Sequence, residues 1–388
     1  MKKDFPDVML KGANSCSDAE GMGFMKKVTL QMIADKLNVS KALVSKALSG
    51  DSAVNEVTRE IIWKTAEEEG YRIKGRKPGS APGTGNLAVL MPRAYLDDPE
   101  YWGKIIKGID AELAKQGYSM LLSSIDVTMK VKDGMPLGIT ERKVDGVVVL
   151  GQLPEAYTDQ LTKRKLPFVL VDPDAQHPDL DLVMANNYLG ASQAAQLLLR
   201  EGHRRLAFVG DAHTTWSFSE RRRGFEDAIA AHNRKRPKDA AELAVVGGMG
   251  VSGSGMYTKP EFAASLEREL RAERPVTAMF CANDLIAFDA LKVLQPLGLE
   301  CPADVSLVGF DDLTLAELNQ PGLTTVKVPK EEMGSRAVQI VLGRIAEPEK
   351  LPELVMLSTA LVKRASTVPA AGAGGGDTEA ESAATAGA

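Results

Sequence analysis

From Asn86 onward, short apolar runs alternate with segments of helical periodicity, and this alternation restricts most of the chain to one kind of fold. Runs at 87–91, 120–123, 147–150, 168–171, 206–209, 243–246, 279–281 and 306–310 have the length of buried strands. Helical patterns lie between them, near 101–116, 188–201, 219–232, 261–273, 284–297 and 331–346. Strand and helix in turn imply parallel βαβ units. The strands are too many for one comfortable sheet, so two α/β subdomains with a cleft between them are expected.

The first part of the chain has a different texture. Leu30, Ile33, Ala34 and Leu37 recur at helical spacing after Thr29, a good capping residue. Asn38-Val39-Ser40 breaks the pattern: Asn38 suits a left-handed turn, and Ser40 can cap a second helix facing inward through Leu43, Val44, Ala47 and Leu48. Two short helices joined this tightly read as a helix-turn-helix, whose second helix enters the DNA major groove. An ordinary helical hairpin within a core is the bland alternative. Asn55 then caps a third helix with an inner face of Ile61, Ile62, Thr65 and Ala66, closed by Gly70.

A net charge of −5 argues against nucleic-acid binding until its distribution is considered. Residues 26–77 carry 11 Lys+Arg against 7 Asp+Glu, whereas residues 78–388 carry 33 against 41. A small basic unit joined to a large acidic one fits a chain that meets phosphates at one end only. Three cysteines without a C-x-x-C pair (Cys16, Cys281, Cys301) argue for a reducing, cytoplasmic setting and against a zinc site. No apolar run approaches the ~18 residues of a membrane helix.

These features divide the chain into a disordered leader or mis-assigned start (1–25), a helix-turn-helix domain (26–71), a linker (72–85), a large α/β domain (86–367) and a disordered Gly/Ala tail (368–388). The tail lacks the apolar heptads of a helical bundle.

Over residues 26–367 the chain resembles the LacI/GalR family of bacterial transcription regulators. The resemblance runs through Val28-Thr29-Leu30, Val44-Ser45-Lys46-Ala47-Leu48-Ser49-Gly50, Thr58-Arg59, Gly70-Tyr71, Val144-Asp145-Gly146, Gly202-His203-Arg204-Arg205, Arg221 with Gly224-Phe225, Asn283-Asp284, Val308-Gly309-Phe310-Asp311-Asp312, Leu323-Thr324-Thr325-Val326 and Leu361-Val362-Lys363-Arg364. It implies a homodimer without a tetramerising bundle that reads a pseudo-palindromic operator, with residues 72–85 as a hinge linker and 86–367 as an effector-binding and dimerisation domain, whose periplasmic-binding-protein-like cleft of two Rossmann-like subdomains takes a small effector, a sugar or sugar derivative. It implies no cofactor, no metal and no enzymatic activity.

By position in the motif, Lys41, Ala42 and Lys46 face base edges, while Thr29, Ser40 and Ser45 hold phosphates. The family usually has Arg at Lys46 and Thr at Leu43; Lys is a point donor without the guanidinium fork, so discrimination there is softer. The family's minor-groove Leu falls at Ser80, among Pro78, Gly79, Pro82, Gly83 and Gly85, so no wedge is expected. Arg72, Lys74, Arg76 and Lys77 can instead act as a basic arm along the phosphates or in an A·T-rich minor groove, and a passive linker that happens to be basic is the alternative.

For the effector, ligands in open α/β sheets bind at strand carboxyl ends. Tyr101 and Trp102 follow the first strand, Arg221 stands at the family's ligand-binding arginine, and Asn283 and Asp284 lie at a strand-to-helix junction. Ser124, Trp216 and Asp312 occupy other strand-end loops. His203 is expected to be structural.

An enzyme is the competing class. Gly248-Met249-Gly250-Val251-Ser252-Gly253 matches G-x-G-x-x-G, but Pro260 and the residues before it prolong a loop where a dinucleotide site needs a helix. A flexible insertion near the cleft is the better reading. A sugar sensor or enzyme on the same fold, with weakened DNA binding, is the alternative function.

Overall fold

A computed structural model describes residues 28–48, 54–71, 83–174, 177–211, 215–252, 255–259 and 261–371. The expected leader, the linker residues Arg72, Lys74 and Ser80, and the tail beyond residue 371 lie outside them. The chain divides into two compact units between residues 73 and 74.

The first unit holds α1 (Leu30–Leu37), α2 (Lys41–Leu48) and α3 (Glu56–Glu68). Ile33, Ala34, Val44, Ala47, Ile62 and Ala66 form its core, each at most 1% exposed. Ile61, expected inside, is 51% exposed; Trp63 packs inward from α3 and donates Nε1 to Ala47 O at 3.1 Å. A Lys36–Glu69 ion pair ties α1 to the residue just past α3 at the surface.

The second unit has two lobes. In the first, β1 (Asn86–Pro92), β2 (Ser119–Ile125), β3 (Gly146–Leu150), β4 (Phe168–Val171) and β5 (Asp181–Ala185) form a parallel sheet in the order β5-β4-β3-β1-β2. In the second, β6 (Arg205–Val209), β7 (Glu242–Val246), a hairpin of β8 (Met249–Ser252) and β9 (Gly255–Thr258), β10 (Ala278–Cys281) and β11 (Ser306–Val308) follow. Four of them make a parallel sheet in the order β11-β10-β6-β7. Both sheets therefore reverse their winding beside their first strand, at β1/β3 and at β6/β10, which is where such sheets take ligands.

The chain returns across the lobes through β12 (Thr325–Lys327), then β13 (Leu354–Leu357), which pairs with β5, then β14 (Ala360–Val362), antiparallel to β12. The principal helices are α4 (Lys104–Gln116), α5 (Val131–Gly134), α6 (Leu137–Thr140), α7 (Glu155–Lys163), α8 (Asn187–Arg200), α9 (Trp216–Lys235), α10 (Glu261–Leu270), α11 (Asp284–Leu294), α12 (Thr314–Leu318) and α13 (Lys330–Ala346). Two helix pairs pack closely because glycines sit at the crossing: Gly224 of α9 lies against the Tyr188 carbonyl, and Gly108 and Gly334 bring α4 and α13 together. A side chain at any of the three would meet backbone.

The eight expected strands are all present. β5, β8, β9, β12, β13 and β14 and the helices α5, α6, α7 and α12 were not foreseen. The glycine-rich stretch pairs as the antiparallel strands β8 and β9, so no helix follows it directly in the chain as a dinucleotide site requires. The body also extends past both expected limits. Asp145 accepts from Thr84 N (2.5 Å) and Gly85 N (2.8 Å), anchoring residues assigned to the linker. At the other end His203 Nε2 meets Val368 O at 3.0 Å, and Ala370 N donates to Glu201 O at 2.8 Å.

Candidate functional site

Two surfaces carry the expected residues. On the first unit, Thr29 caps α1 by accepting from Met32 N at 3.4 Å, and Asn38 ends it at φ 53° and ψ 44°. Ser40 caps α2 by accepting from Leu43 N at 3.1 Å. Val44, Ala47 and Leu48 then turn inward and Leu43 packs beside them, as a residue with no phosphate-donating group should. Lys41, Ala42, Ser45 and Lys46 remain exposed, at spacings that share one helix face. The two capping hydroxyls each accept a backbone N–H and keep their own proton for an outside acceptor. Arg72 and Lys74 are not among the described residues.

In the second unit, polar groups converge at the strand ends beside the two reversal points. After β1, Asp98 accepts from Tyr101 N at 3.0 Å and closes a π-helical turn, Pro99–Gly103, that aims Tyr101 across the sheet. The Tyr101 hydroxyl donates to Asp172 Oδ2, just past β4, at 2.7 Å. Trp102 stacks on Tyr95, ring centres 4.3 Å apart and 3° from parallel, with Tyr101 edge-on at 5.1 Å.

The second lobe answers with Arg221. Its position follows from Thr215, which caps α9, and from Gly224, which lets α9 lie against α8. Arg221 is 3% exposed and is held at every nitrogen: Nε donates to Asn187 Oδ1 (2.8 Å), Nη1 to Ala282 O (2.7 Å), and Nη2 lies 3.2 Å from Asp311 Oδ1. Its plane rests 3.8 Å above the Phe310 ring. Lys330, first residue of α13, donates to the Asp311 carbonyl and stands 5.7 Å from the centre of the Tyr101 ring.

Burial pushes Asp98, Asp172 and Asp311 up from the usual carboxylate range, Asp311 to about 6 even though Arg221 and Lys330 oppose the shift. Burial likewise lowers Lys330. Asp172 (φ 51°) and Asp311 (φ 110°) both hold left-handed backbone that side chains disfavour. Such conformations persist where surrounding contacts enforce them and cluster at functional sites.

The lobes touch beside this cluster. Glu100 accepts from Thr314 N (3.1 Å) and Thr314 Oγ1 (2.7 Å), and these bonds hold its carboxyl down at about 2. Trp216 donates its backbone N–H to Asp174 Oδ1 at 2.6 Å, while its indole packs on the first lobe's core.

Of the expected effector residues, Tyr101, Trp102, Arg221 and Trp216 therefore meet in one region. Asn283 adjoins it, 7% exposed, with Oδ1 capping α11 by accepting from Ile286 N at 2.9 Å. Ser124 stays on β2 beside Met91 and makes no polar contact with the cluster among the described residues. Asp284 and Asp312 are placed otherwise than expected. Asp284 is 0% exposed, and its carboxylate accepts from Thr325 Oγ1 (2.5 Å) and Leu313 N (2.8 Å). Asp312 pairs with Arg364 at 2.7 Å. The carboxylate that faces Arg221 belongs to the neighbouring Asp311.

The sequence reading missed Tyr95, Asp98, Asp172, Asn187, Asp311 and Lys330. Asp172 and Asp311 follow strands directly, so the strand-end rule had the means to find them. His203 is structural as expected: Nδ1 meets Thr277 Oγ1 at 3.0 Å, and Arg204 Nη1 donates to the Leu199 carbonyl at the end of α8 at 2.9 Å.

A family model for periplasmic-binding-protein-like domains matches residues 195–367. Over 322 residues the chain is 27% identical to the HTH-type transcriptional repressor PurR of Aliivibrio salmonicida, covering 82% of this chain and 92% of that one. Among solved structures it is 26% identical to the transcriptional regulator CelR in its cellobiose complex, with a TM-score of 0.61 over 87% of this chain and 99% of that one. A LacI family transcriptional regulator from Enterococcus faecium with bound ribose is 26% identical, with a TM-score of 0.59 over 74% and 100%.

Proposed function

We propose that this chain, a member of the LacI/GalR family of transcription regulators, is a repressor that binds a pseudo-palindromic operator through α2 and is controlled by a carbohydrate effector held between its lobes. The observation that carries the reading is the convergence of Tyr101, Asp172, Arg221 and Asp311 at the reversal points of two facing sheets, in a chain that also carries a helix-turn-helix.

Lys41, Ala42 and Lys46 read bases, and Thr29, Ser40 and Ser45 hold phosphates; their common exposure supports this division. Two-fold symmetry of a homodimer makes the operator an inverted repeat. The relatives that bind cellobiose and ribose support a sugar-type ligand, for which stacked aromatic faces beside carboxylates and a guanidinium are suited. Effector binding shifts the lobes, whose present contacts are Glu100–Thr314 and Asp174–Trp216, and so couples to operator affinity in both directions. Among the described residues no helix is long and apolar enough to cross a membrane.

The test is a mobility-shift titration of the full chain against upstream regions of its own operon, with and without a panel of sugars. A salt-sensitive complex whose affinity changes at least tenfold with one sugar is expected. A chain that binds sugar but shifts no DNA at low salt would favour the sensor or enzyme reading.

A further inference from the structure

We propose that the acidic stretch Asp377-Thr378-Glu379-Ala380-Glu381 docks in cis on a basic patch of the second lobe, at the end where its strands begin, opposite the cleft.

The patch is built by the ends of two helices. α8 finishes at Arg200 and leads into β6; α9 carries Arg234 and Lys235 in its last turn and leads into β7, with Arg236 at its cap and Lys238 in the 3-10 turn that follows. Arg204 holds the two ends together: Nε donates to Asp239 Oδ1 at 2.6 Å, and Nη1 donates to Leu199 O at 2.9 Å. Arg200, Arg234, Lys235, Arg236 and Lys238 are exposed, and among the described residues their side chains enter no hydrogen bond or ion-pair contact. The acids beside them are already taken. Asp239 is bound by Arg204, Glu201 by Lys363, and Glu242 by Arg205 and Arg274. A helix dipole favours cations at such an end, but its effect is confined to the last turn and leaves their mutual repulsion unanswered. The cluster also runs against the charge of its surroundings, since residues 78–388 carry 33 Lys+Arg against 41 Asp+Glu.

The occupant follows from where the chain leaves the body. Val368 O meets His203 Nε2 at 3.0 Å, and Ala370 N donates to the carbonyl of Glu201, the residue after Arg200, at 2.8 Å. The sequence then reads Gly372-Ala373-Gly374-Gly375-Gly376 before Asp377, Glu379 and Glu381, and residues 372–388 contain no Lys or Arg. At roughly 3.3–3.6 Å per residue, that spacer can carry the acids from Glu201 to the ends of both helices. Acids at every second position share one side of an extended chain. Exposed ion pairs are individually weak. A short tether compensates with an effective concentration on the order of millimolar, so the pairs act together and the docking is intramolecular and reversed by salt. Docked there, the acidic stretch shields a basic surface from polyanions.

The experiment is zero-length carbodiimide cross-linking of the full chain, read by mass spectrometry, on a mixture of isotopically labelled and unlabelled protein. Links from Asp377, Glu379 or Glu381 to Lys235 or Lys238 should dominate and join residues of the same chain. Their yield should fall several-fold at about 0.5 M sodium chloride. It should fall as far in an Arg234→Ser, Arg236→Ser double variant, which keeps both lysines and is checked for folding by circular dichroism. Absence of links to either lysine, or links spread evenly over exposed lysines elsewhere such as Lys163 and Lys292, would overturn the proposal. So would a yield indifferent to the double variant. Links formed only between differently labelled chains would overturn docking in cis and make a second copy the occupant.

Discussion

Arg221 Nη2 lies 3.2 Å from Asp311 Oδ1, and the two residues, brought together from α9 and from the end of β11, are both less than 8% exposed. The arginine is anchored in advance by Asn187, Ala282 O and Phe310, so the pair is fixed in place and does not depend on a ligand to order it. A fixed guanidinium beside a carboxylate with spare acceptor capacity lowers the ordering cost of binding a polyol.

Arg221→Lys tests that anchoring. A lysine keeps the charge but cannot serve Asn187, Ala282 O and Asp311 together. Effector affinity should fall at least tenfold, or about 1.4 kcal/mol, with operator binding retained. Isothermal titration with the effector, alongside a mobility shift without it, separates the two. Unchanged effector affinity would remove Arg221 from the binding set.

Lys41→Ala and Lys46→Ala address the DNA face. Each change should cost about 1–3 kcal/mol if the lysine reads a base edge, and the loss should be largest on the preferred operator. A loss that is equal on all sequences, with the salt slope reduced by about 1, would instead make that lysine a phosphate contact. Fluorescence anisotropy on specific and scrambled duplexes at several salt concentrations distinguishes these outcomes.

Asp284 has a stability signature of its own. Burial, and after it the nearby Asp311, pushes its carboxyl up to about 7. An unfolded aspartate titrates near ~3.9, so between these values the folded chain binds more protons than the unfolded one. Stability from this group is therefore full at low pH and falls as pH rises through that window. Asp284→Asn should flatten the slope between pH 5 and pH 7, measured by urea unfolding. Asp284→Ala leaves Leu313 N and Thr325 Oγ1 without their acceptor and should destabilise by about 1–3 kcal/mol for each group stranded. Effector binding lost without any change in stability would restore Asp284 to the ligand site.

Much of this was legible in the sequence because it depends on local pattern. The helix-turn-helix followed from Thr29, Asn38 and Ser40, whose capping and turn roles are set by nearest neighbours. The buried parallel strands followed from unbroken apolar runs. What escaped depends on distant partners. β5 opens on Asp181, an unpromising residue for a buried strand until its distant partner is known: Arg344 reaches it from α13 with two hydrogen bonds, at 2.8 and 2.9 Å. In α7 only Tyr157 and Leu161 are buried, too thin a stripe to signal a helix. Spacing could not decide between Asp311 and Asp312, because a backbone turn through φ 110° and 54° sends one to Arg221 and the other to Arg364. Asp284 looked like a ligand residue from its junction position, yet Gly309 leaves room for its carboxylate to turn inward.

Selection of binding sites from a randomised duplex library with the whole chain tests the proposed two-fold symmetric, sequence-specific DNA binding most directly. Enrichment of one inverted repeat is expected, with binding to that repeat weakened by Lys41→Ala. Recovery of no enriched sequence, or of a single asymmetric site indifferent to Lys41→Ala, would contradict it.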